Sequence, residues 1–276
     1  MREAGVSLTV DDDAVEGRRR AKSPAELDGI RAAVRAAEAG MAAAAGLLAR
    51  AEPGAEGRLE VDGAPLLAED VRAALRAACA EAGAPCPPDV TVASVWQGFG
   101  HEPGSGPLPA GLPILVDLWP RDEASACWAD MARTFVVGDP VPEHAEALAG
   151  QERLVREAVA TAHALVRPGV TGRELYDAVC DLFEDAGYAT QRTQRSADSP
   201  DGFQFSLGHG VGLEVHEAPL LGLAGHDPLV VGDVLAIEPG LWDTRFGGVS
   251  LEDLVLVTDT GFELLTSFPD DLTPRA

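Results

Sequence analysis

The chain has 276 residues, 46% of them hydrophobic, and a formal net charge of −24 at pH 7. This length is enough for one large domain or two small ones. Such an acidic surface repels phosphate backbones and anionic lipids, so we expect neither nucleic acid nor membranes as partners. No apolar run approaches the ~18 residues that span a bilayer. The N-terminus has no basic segment followed by an apolar stretch, so no signal peptide is predicted.

The cysteine pattern bears on the chemistry and on the compartment. Cys79, Cys86, Cys127 and Cys180 form no CxxC pair and match no zinc-ribbon spacing. Reduced thiols in a cytoplasmic protein fit this usage best. Candidate metal ligands are therefore to be sought among the carboxylates and the six histidines.

Helical patterns fill the first part of the chain. Residues 1–22 carry an acidic cluster followed by a basic one and are interpreted as a linker. Ser23 then offers an N-cap and Glu26 completes a capping box, so a helix is predicted from there to about residue 50. A second helix is predicted over 66–82, which ends at glycine and proline.

The rest of the chain alternates between strand and helix patterns. Runs rich in valine, isoleucine and leucine predict buried strands, and capping residues open the helices. The predicted strands are 90–92, 95–96, 113–119, 126–137, 230–237 and 249–258, and the predicted helices are 142–166 and 171–186. The segment between the third and fourth of these strands is predicted to be a turn, so the two strands form an antiparallel hairpin.

A short internal repeat suggests that the fold is built twice. Pro53-Gly54-x-x-Gly57-Arg58 recurs as Pro168-Gly169-x-x-Gly172-Arg173, and each copy lies between two predicted helices that strands follow. Helix, turn, helix and strands thus occur twice in the same order. This predicts an α+β fold of two similar halves around one sheet system, although the turn preference of glycine and proline could also produce the repeat.

Two aspartates interrupt apolar strand sequences. Asp117 lies within Ile114-Leu-Val-Asp117-Leu, and Asp130 lies in the returning strand. A carboxylate in a buried strand is costly unless it is paired or binds a cation. Across an antiparallel hairpin the two can face each other, and a divalent cation between them would remove their repulsion. The alternative for Asp130 is an exposed acid beside the turn.

Further candidate ligands lie in three later segments. His209 and His216 belong to a stretch in which three glycines permit close approach of the backbone. Glu238 ends an apolar strand at a Pro-Gly turn, and Glu252 lies within another apolar strand. Four carboxylates and one imidazole suit Mn²⁺, Co²⁺, Fe²⁺ or Zn²⁺, and carboxylate-rich hydrolase sites usually hold two such ions. A structural histidine pair is the alternative for the glycine-rich segment.

Taken in order, these segments resemble the creatinase, prolidase and methionine aminopeptidase family. The matching stretches are Val116-Asp117-Leu118, Ala129-Asp130-Met-Ala-Arg-Thr134-Phe, Gly208-His209-Gly-Val-Gly212, Val215-His216-Glu-Ala-Pro219, Ile237-Glu238-Pro-Gly240 and Leu251-Glu252-Asp253. The resemblance implies the pita-bread fold, in which two pseudo-symmetric α/β halves surround a curved, mostly antiparallel sheet.

The segment Arg20-Ala-Lys22-Ser-Pro-Ala-Glu26 is similar to the Xaa-Pro aminopeptidase and Xaa-Pro dipeptidase branch of that family. In that branch it joins an N-terminal domain to the catalytic domain. The resemblance therefore implies that residues 1–22 are a linker or the remnant of an N-terminal domain and that 23–276 form the pita-bread catalytic domain.

The resemblance also implies a role for each matching metal ligand. Asp117 would chelate one of two divalent ions, and Asp130 and Glu252 would bridge the two. His209 and Glu238 would complete the shell of the second ion. A hydroxide that bridges the ions would then be the nucleophile.

Three residues would serve catalysis directly in a protein of this family. Glu238 would act as general base, and His216 would donate to the tetrahedral intermediate or position the substrate. His101 resembles the upstream histidine on the substrate side. The implied activity is metal-dependent hydrolysis of the N-terminal peptide bond of short peptides, of Xaa-Pro type, with Mn²⁺ as the expected metal.

Departures from the family pattern keep the specificity open. Ser250 replaces an arginine that is tied to proline-type substrates, and Trp119 replaces a glycine. The alternatives are a methionine aminopeptidase, a non-peptide amidohydrolase or lyase, and a non-catalytic peptide-binding protein on the same fold. Because dimers are common in the family, a homodimer is a further expectation.

Overall fold

The four predicted helices are present with small changes at their ends. The computed structural model describes residues 13–275 apart from Trp96, 98–101 and 195–197. Within these ranges the α-helices are α1 (Asp13–Arg20), α2 (Pro24–Leu48), α3 (Ala68–Glu81), α4 (Ala145–Leu165) and α5 (Gly172–Asp185). Capping boxes at Ser23 and Thr171 open α2 and α5, which confirms the helix starts predicted from these residues. None of the described helices is both long and apolar enough to cross a bilayer.

The strands form small antiparallel sheets. They are β1 (Glu52–Pro53), β2 (Leu59–Val61), β3 (Ala64–Pro65), β4 (Thr91–Ala93), β5 (Ile114–Leu118), β6 (Met131–Phe135), β7 (Gly208–Gly210), β8 (Glu217–Leu221), β9 (Val234–Ile237), β10 (Gly240–Asp243), β11 (Gly247–Ser250), β12 (Asp253–Thr258) and β13 (Gly261–Leu264). One sheet has the order β4-β5-β6 and another the order β13-β12-β9-β7-β8. A two-stranded sheet, β10-β11, and a three-stranded sheet, β1-β2-β3, are also present.

Each pair of long helices covers one part of these sheets. α2 packs on α3, β5 and β6, and a core that includes Ile30, Leu75 and Val116 fills the space between them. α4 packs on α5, β10 and β11 around a second core that includes Val155 and Phe183. The predicted α+β architecture of two halves, each a helix pair on antiparallel strands, is therefore confirmed.

Turns shorten or divide three of the predicted strands. β6 begins later than predicted because the Asp122 carboxylate accepts the Ser125 amide at 2.7 Å and extends the preceding turn. β9 begins later because Gly232, with φ of 96°, closes a turn just before it. The last long predicted strand is divided into β11 and β12, and Glu252 lies in the break. Val95, predicted to lie in a strand, belongs to a turn.

The end of the predicted linker is helical, and its side chains contact residues 217 and 233 of the predicted catalytic domain. Arg20 donates two hydrogen bonds, of 3.0 and 2.6 Å, to the carboxylate of Asp233. Lys22 Nζ lies 2.5 Å from Glu217 Oε1. Both acids are buried. That 1–22 form a linker or the remnant of another domain stays a prediction, and residues 1–12 lie outside the described ranges.

Candidate metal centre

Five acidic or imidazole side chains from both halves of the fold meet at one cavity. Asp117 lies in β5, Asp130 directly precedes β6 and His209 lies in β7, while Glu238 follows β9 and Glu252 lies between β11 and β12. The cavity has a volume of about 260 Å³ and is lined by Asp89, Asp117, Trp119, Asp130, His209, Val215, His216, Glu238 and Glu252. All five side chains predicted as metal ligands are thus brought together.

Strand register explains why the two aspartates point to the same side. Asp117 pairs with Ala132 across β5 and β6. Asp130 lies two residues before Ala132, and alternate residues of an extended chain point to the same face. Ligand oxygens of Asp117, Asp130 and Glu252 all lie within 4.8 Å of one another. Asp130 is buried, so the alternative of an exposed acid beside the turn is wrong.

His209 presents one ring nitrogen to the acidic side of the cavity. Its Nδ1 lies 3.1 Å from the carbonyl oxygen of Gly210. Because a carbonyl only accepts, this contact assigns the proton to Nδ1. Nε2 lies 3.4 Å from Glu238 Oε1 and 3.7 Å from Asp130 Oδ2. The lone pair of a neutral imidazole would therefore face the carboxylates.

Burial and mutual repulsion perturb the acidities of this cluster. Burial, and then the charge of Glu238, raise the pKa of Asp117 to about 7. Burial and neighbouring carboxylates likewise raise the pKa of Asp130 and Glu252 well above the usual range. For His209, burial acts to lower the pKa, but the hydrogen bond and charge of Glu238, the Gly210 carbonyl and the charge of Asp117 together outweigh it, and the pKa is raised. The cluster thus favours fewer negative charges than its residues would carry in water.

The residues of the cavity fit divalent cations. Asp130 Oδ1 and Glu252 Oε1 are buried without a hydrogen-bond partner. A buried carboxylate oxygen with no donor is costly, and a cation bound between the two oxygens would offset that cost. The donor set contains carboxylate oxygens and an imidazole but no thiolate among the described lining residues, which suits Mn²⁺, Fe²⁺, Co²⁺ or Zn²⁺.

His216 is the predicted catalytic histidine that the structure places at the cavity. His216 is exposed at the cavity, with its ring centroid 4.2 Å from that of His209 and the ring planes at 78°. His101 lies outside the described residues. Asp89 and Trp119 line the cavity, and sequence reasoning missed both as site residues. Nothing in the sequence around Asp89, which lies just before the short strand β4, marks it as a site residue. Trp119 could have been recognised, because it replaces a glycine of the family pattern.

Behind the cavity, Arg133 fixes the chain segment that carries Glu252. The guanidinium is buried and donates to the carbonyl oxygen of Glu252 at 2.6 Å and to Asp253 Oδ1 at 2.7 Å. The hydroxyl of Thr266 donates to the same Asp253 oxygen at 2.6 Å. The Glu252 amide still donates to the backbone carbonyl of Ala132 in β6 at 3.1 Å. Its carbonyl bonds to the Arg133 side chain instead of to a strand amide, and the strand pattern breaks at this residue.

Comparison with known proteins agrees with this geometry. The chain matches Metallopeptidase family M24 over residues 28–259. It belongs to that family. Membership implies divalent metal ions and confirms the resemblance found from the motifs.

An Xaa-Pro dipeptidase of Pyrococcus furiosus is 36% identical over 144 residues, which are 52% of this chain and 37% of that relative. A probable dipeptidase PepE of Mycobacterium bovis is 33% identical over 145 residues, 52% of this chain and 34% of that relative.

Solved structures of family members share the fold over nearly the whole chain. The prolidase from Pyrococcus horikoshii OT3 has a TM-score of 0.79 and 28% identity, over 95% of this chain and 67% of that one. The X-Pro aminopeptidase from Thermotoga maritima MSB8 has a TM-score of 0.78 and 26% identity, over 95% and 66%. The pita-bread fold is therefore confirmed, and the chain aligns with little more than a third of its sequence relatives' length.

Proposed function

We propose that this chain is a metal-dependent aminopeptidase or dipeptidase that hydrolyses the N-terminal bond of short peptides, of Xaa-Pro type. The observation that carries the proposal is the convergence of five candidate ligands on one cavity in which two buried carboxylate oxygens have no donor. Relatives described as an Xaa-Pro dipeptidase, a prolidase and an X-Pro aminopeptidase support the substrate type.

The ligand atoms divide into overlapping groups that suit two ions. Asp117, Asp130 and Glu252 form one group, and His209, Glu238 and Glu252 form another. Asp117, Asp130 and Glu252 would hold one ion, and His209 and Glu238 would hold the second together with Asp130 and Glu252. Mn²⁺ is the proposed metal because hard oxygen donors outnumber the single nitrogen.

The chain's own residues supply proton transfer and orientation. Bound divalent ions would lower the pKa of water and polarise the scissile carbonyl. Glu238 takes the proton of the attacking water, since its side chain reaches the cavity and is 19% exposed. His216, at the cavity mouth, donates a hydrogen bond to the developing oxyanion or to the substrate. His101 is proposed to act on the substrate side as well.

The cavity lining favours a substrate with a positive charge. Two divalent ions would balance the four acids of the ligand set, so Asp89 is the described lining acid whose charge remains for a substrate, and the described lining residues include no lysine or arginine. A peptide's terminal ammonium fits such a lining, and the flat face of Trp119 suits a proline ring. The absence of Lys and Arg from the described lining favours recognition of the amino end over the carboxylate end.

The test measures metal content and peptide hydrolysis together. Purified chain is depleted of metal, reloaded with Mn²⁺ and assayed on Xaa-Pro and Met-Xaa peptides, alongside Glu238→Gln and the exposed control Glu263→Gln. About two ions per chain and Mn²⁺-dependent Xaa-Pro cleavage, lost in Glu238→Gln alone, would support the proposal. Faster cleavage of Met-Xaa peptides would favour a methionine aminopeptidase.

Two other results would overturn the proposal. Stoichiometric metal without peptide cleavage would favour a non-peptide amidohydrolase or lyase on this fold. No metal uptake would favour a peptide-binding protein without catalysis.

A homodimer and a cytoplasmic location stay predictions of the sequence, to be measured by light scattering and by fractionation of cells.

A further inference from the structure

A buried carboxylate joins the N-terminal segment to the loop before His216. Glu217 follows His216 directly, and its side chain is only 2% exposed. Its Oε1 accepts from Lys22 Nζ at 2.5 Å. Its Oε2 accepts from the amides of Leu213 and Glu214 at 3.1 and 3.3 Å. One side chain therefore ties the loop to Lys22, 195 residues away in the chain.

The loop depends on such side-chain contacts for its shape. Residues 212–216 form bends and lie outside the strands. On one side of the loop, Trp128 donates from its amide to the carbonyl of Gly212 at 2.8 Å and from its indole to the carbonyl of Leu213 at 3.1 Å. On the other side, the Glu217 carboxylate accepts the loop amides. The loop is thus held between an indole and an ion pair.

Gly212 shows how closely the ion pair packs against this loop. A Cβ atom at Gly212 would lie 2.5 Å from Glu217 Oε1 and 2.8 Å from Lys22 Cε. No side chain fits at those distances without displacing the ion pair. The requirement for glycine in this part of the motif therefore comes from the Lys22–Glu217 pair.

Lys22 is placed to neutralise Glu217 and does not line the cavity. Its side chain is 1% exposed, and Nζ also donates to the carbonyl of Arg19 at 2.6 Å. Without this ammonium, Glu217 would be a buried charge with no counter-ion, which is strongly unfavourable. Glu217 would then turn toward water to keep its charge solvated, and this movement would release the loop amides of Leu213 and Glu214.

We propose that Lys22 is a positioning residue for His216: through Glu217 it fixes the loop that presents the His216 ring to the cavity. Lys22 acts at a distance and touches no reacting atom. The consequence for catalysis rests on the proposed function, whereas the consequence for the loop does not.

The same segment supplies a matched control. Arg20 pairs with Asp233, which is buried and also accepts the amide of Val230 at 2.8 Å. This pair has the same construction as Lys22 with Glu217, a cation on a buried acid that caps a turn. The turn it holds carries none of the described cavity-lining residues. Arg20→Met therefore breaks an equivalent pair while keeping both Lys22 and Glu217, the two side chains proposed to hold the His216 loop.

The experiment compares Lys22→Met and Arg20→Met in the whole 276-residue, Mn²⁺-loaded chain. Amide hydrogen exchange of residues 211–217 reports on the loop, and kinetics on Xaa-Pro peptides report on the site. Lys22→Met should speed exchange in the loop by roughly tenfold or more and lower kcat by roughly 10–100-fold with KM within about threefold. Arg20→Met should leave both unchanged, although either variant loses stability.

Two further comparisons separate positioning from general damage. The effects of Lys22→Met and His216→Ala on kcat should not multiply in the double variant, because both remove the same contribution. Two uncharged double variants differ in whether residue 217 offers an acceptor oxygen: Lys22→Met with Glu217→Gln should recover the loop and kcat, whereas Lys22→Met with Glu217→Leu should not. This pair also serves if Lys22→Met alone does not fold.

Each outcome of these experiments supports or overturns the positioning role of Lys22. Equal loss of kcat in Lys22→Met and Arg20→Met, or multiplying effects with His216→Ala, would overturn the positioning role. If the wild type cleaves no peptide, the proposed function fails, and exchange alone tests the inference. Unchanged exchange over 211–217 in Lys22→Met would then overturn it, and selective acceleration there would support it.

Discussion

Replacement of Asp117 by asparagine should stabilise the metal-free chain at alkaline pH. Burial and Glu238 raise the pKa of Asp117 to about 7 in the folded chain, whereas an unfolded aspartate titrates near 3.9. The folded state therefore holds a proton that the unfolded state has released. The stability is fully present at low pH and is lost as pH rises from about 4 through about 7. Asparagine keeps the shape of the side chain and removes that loss.

The size of the effect follows from the two acidities. A rise of the pKa from 3.8 to about 7 corresponds to about 4 kcal/mol at pH 8. This figure is an upper bound, because cavity water screens a partly exposed carboxylate and because Asp130 and Glu252 titrate together with it. We expect Asp117→Asn to stabilise the metal-free chain by about 2 kcal/mol at pH 8 and by less than about 1 kcal/mol at pH 5.

The assay is urea unfolding of EDTA-treated wild type and Asp117→Asn at both pH values, with the exposed Asp259→Asn as control. Saturating Mn²⁺ should then reverse the order of stability. A ligand at 100 times its Kd adds about 2.7 kcal/mol to the wild type, and Asp117→Asn should gain little of this. Equal destabilisation by Asp117→Asn at both pH values, or a wild-type stability that does not fall between pH 5 and pH 8 without metal, would refute the reasoning.

Three further predictions address the base, the substrate and the support behind the cavity. Glu238→Gln should lower kcat for Xaa-Pro peptides by about 10²–10⁴-fold, and near-normal turnover with bound metal would remove it from the role of base. Asp89→Asn should raise KM by roughly 3–10-fold for peptides with a free amino group, whereas an equal rise for the des-amino analogue would contradict recognition of the ammonium. Arg133→Met should lower the free energy of unfolding by about 3–5 kcal/mol because Asp253 loses its buried cation. Urea unfolding checks this, and a change below about 1 kcal/mol would show that the ion pair contributes little.

The candidate ligands could be predicted because each breaks the pattern around it. Asp117 sits among isoleucine, leucine and valine in a strand buried on both sides, and Glu238 ends an equally apolar run. Local sequence alone makes such acids anomalous, and the family motifs then connect them. The positions of the helices could also be predicted, since capping residues such as Ser23 bond to residues near them in the sequence.

Features that depend on distant contacts could not be predicted from the local pattern. The pattern of residues 249–258 predicts one strand. Arg133 donates a hydrogen bond to the carbonyl oxygen of Glu252, and the strand divides there. Lys22 lies in a segment interpreted as a linker, where a charged side chain is ordinarily exposed, yet it is buried against Glu217. In both places the deciding bond joins residues more than a hundred positions apart. Periodicity and composition carry no information about such bonds.

The way in which the fold treats its buried acids separates scaffold from site. Among the described residues the buried acids are Asp130, Glu217, Asp233, Glu252 and Asp253. Three of them have a lysine or arginine of the chain at 2.5 to 2.7 Å, namely Glu217, Asp233 and Asp253. Asp130 and Glu252, both at the cavity, each keep an oxygen without a donor instead. Because the chain supplies a cation wherever a buried acid serves the scaffold, we infer that the counter-charge of these two comes from outside, as divalent metal does.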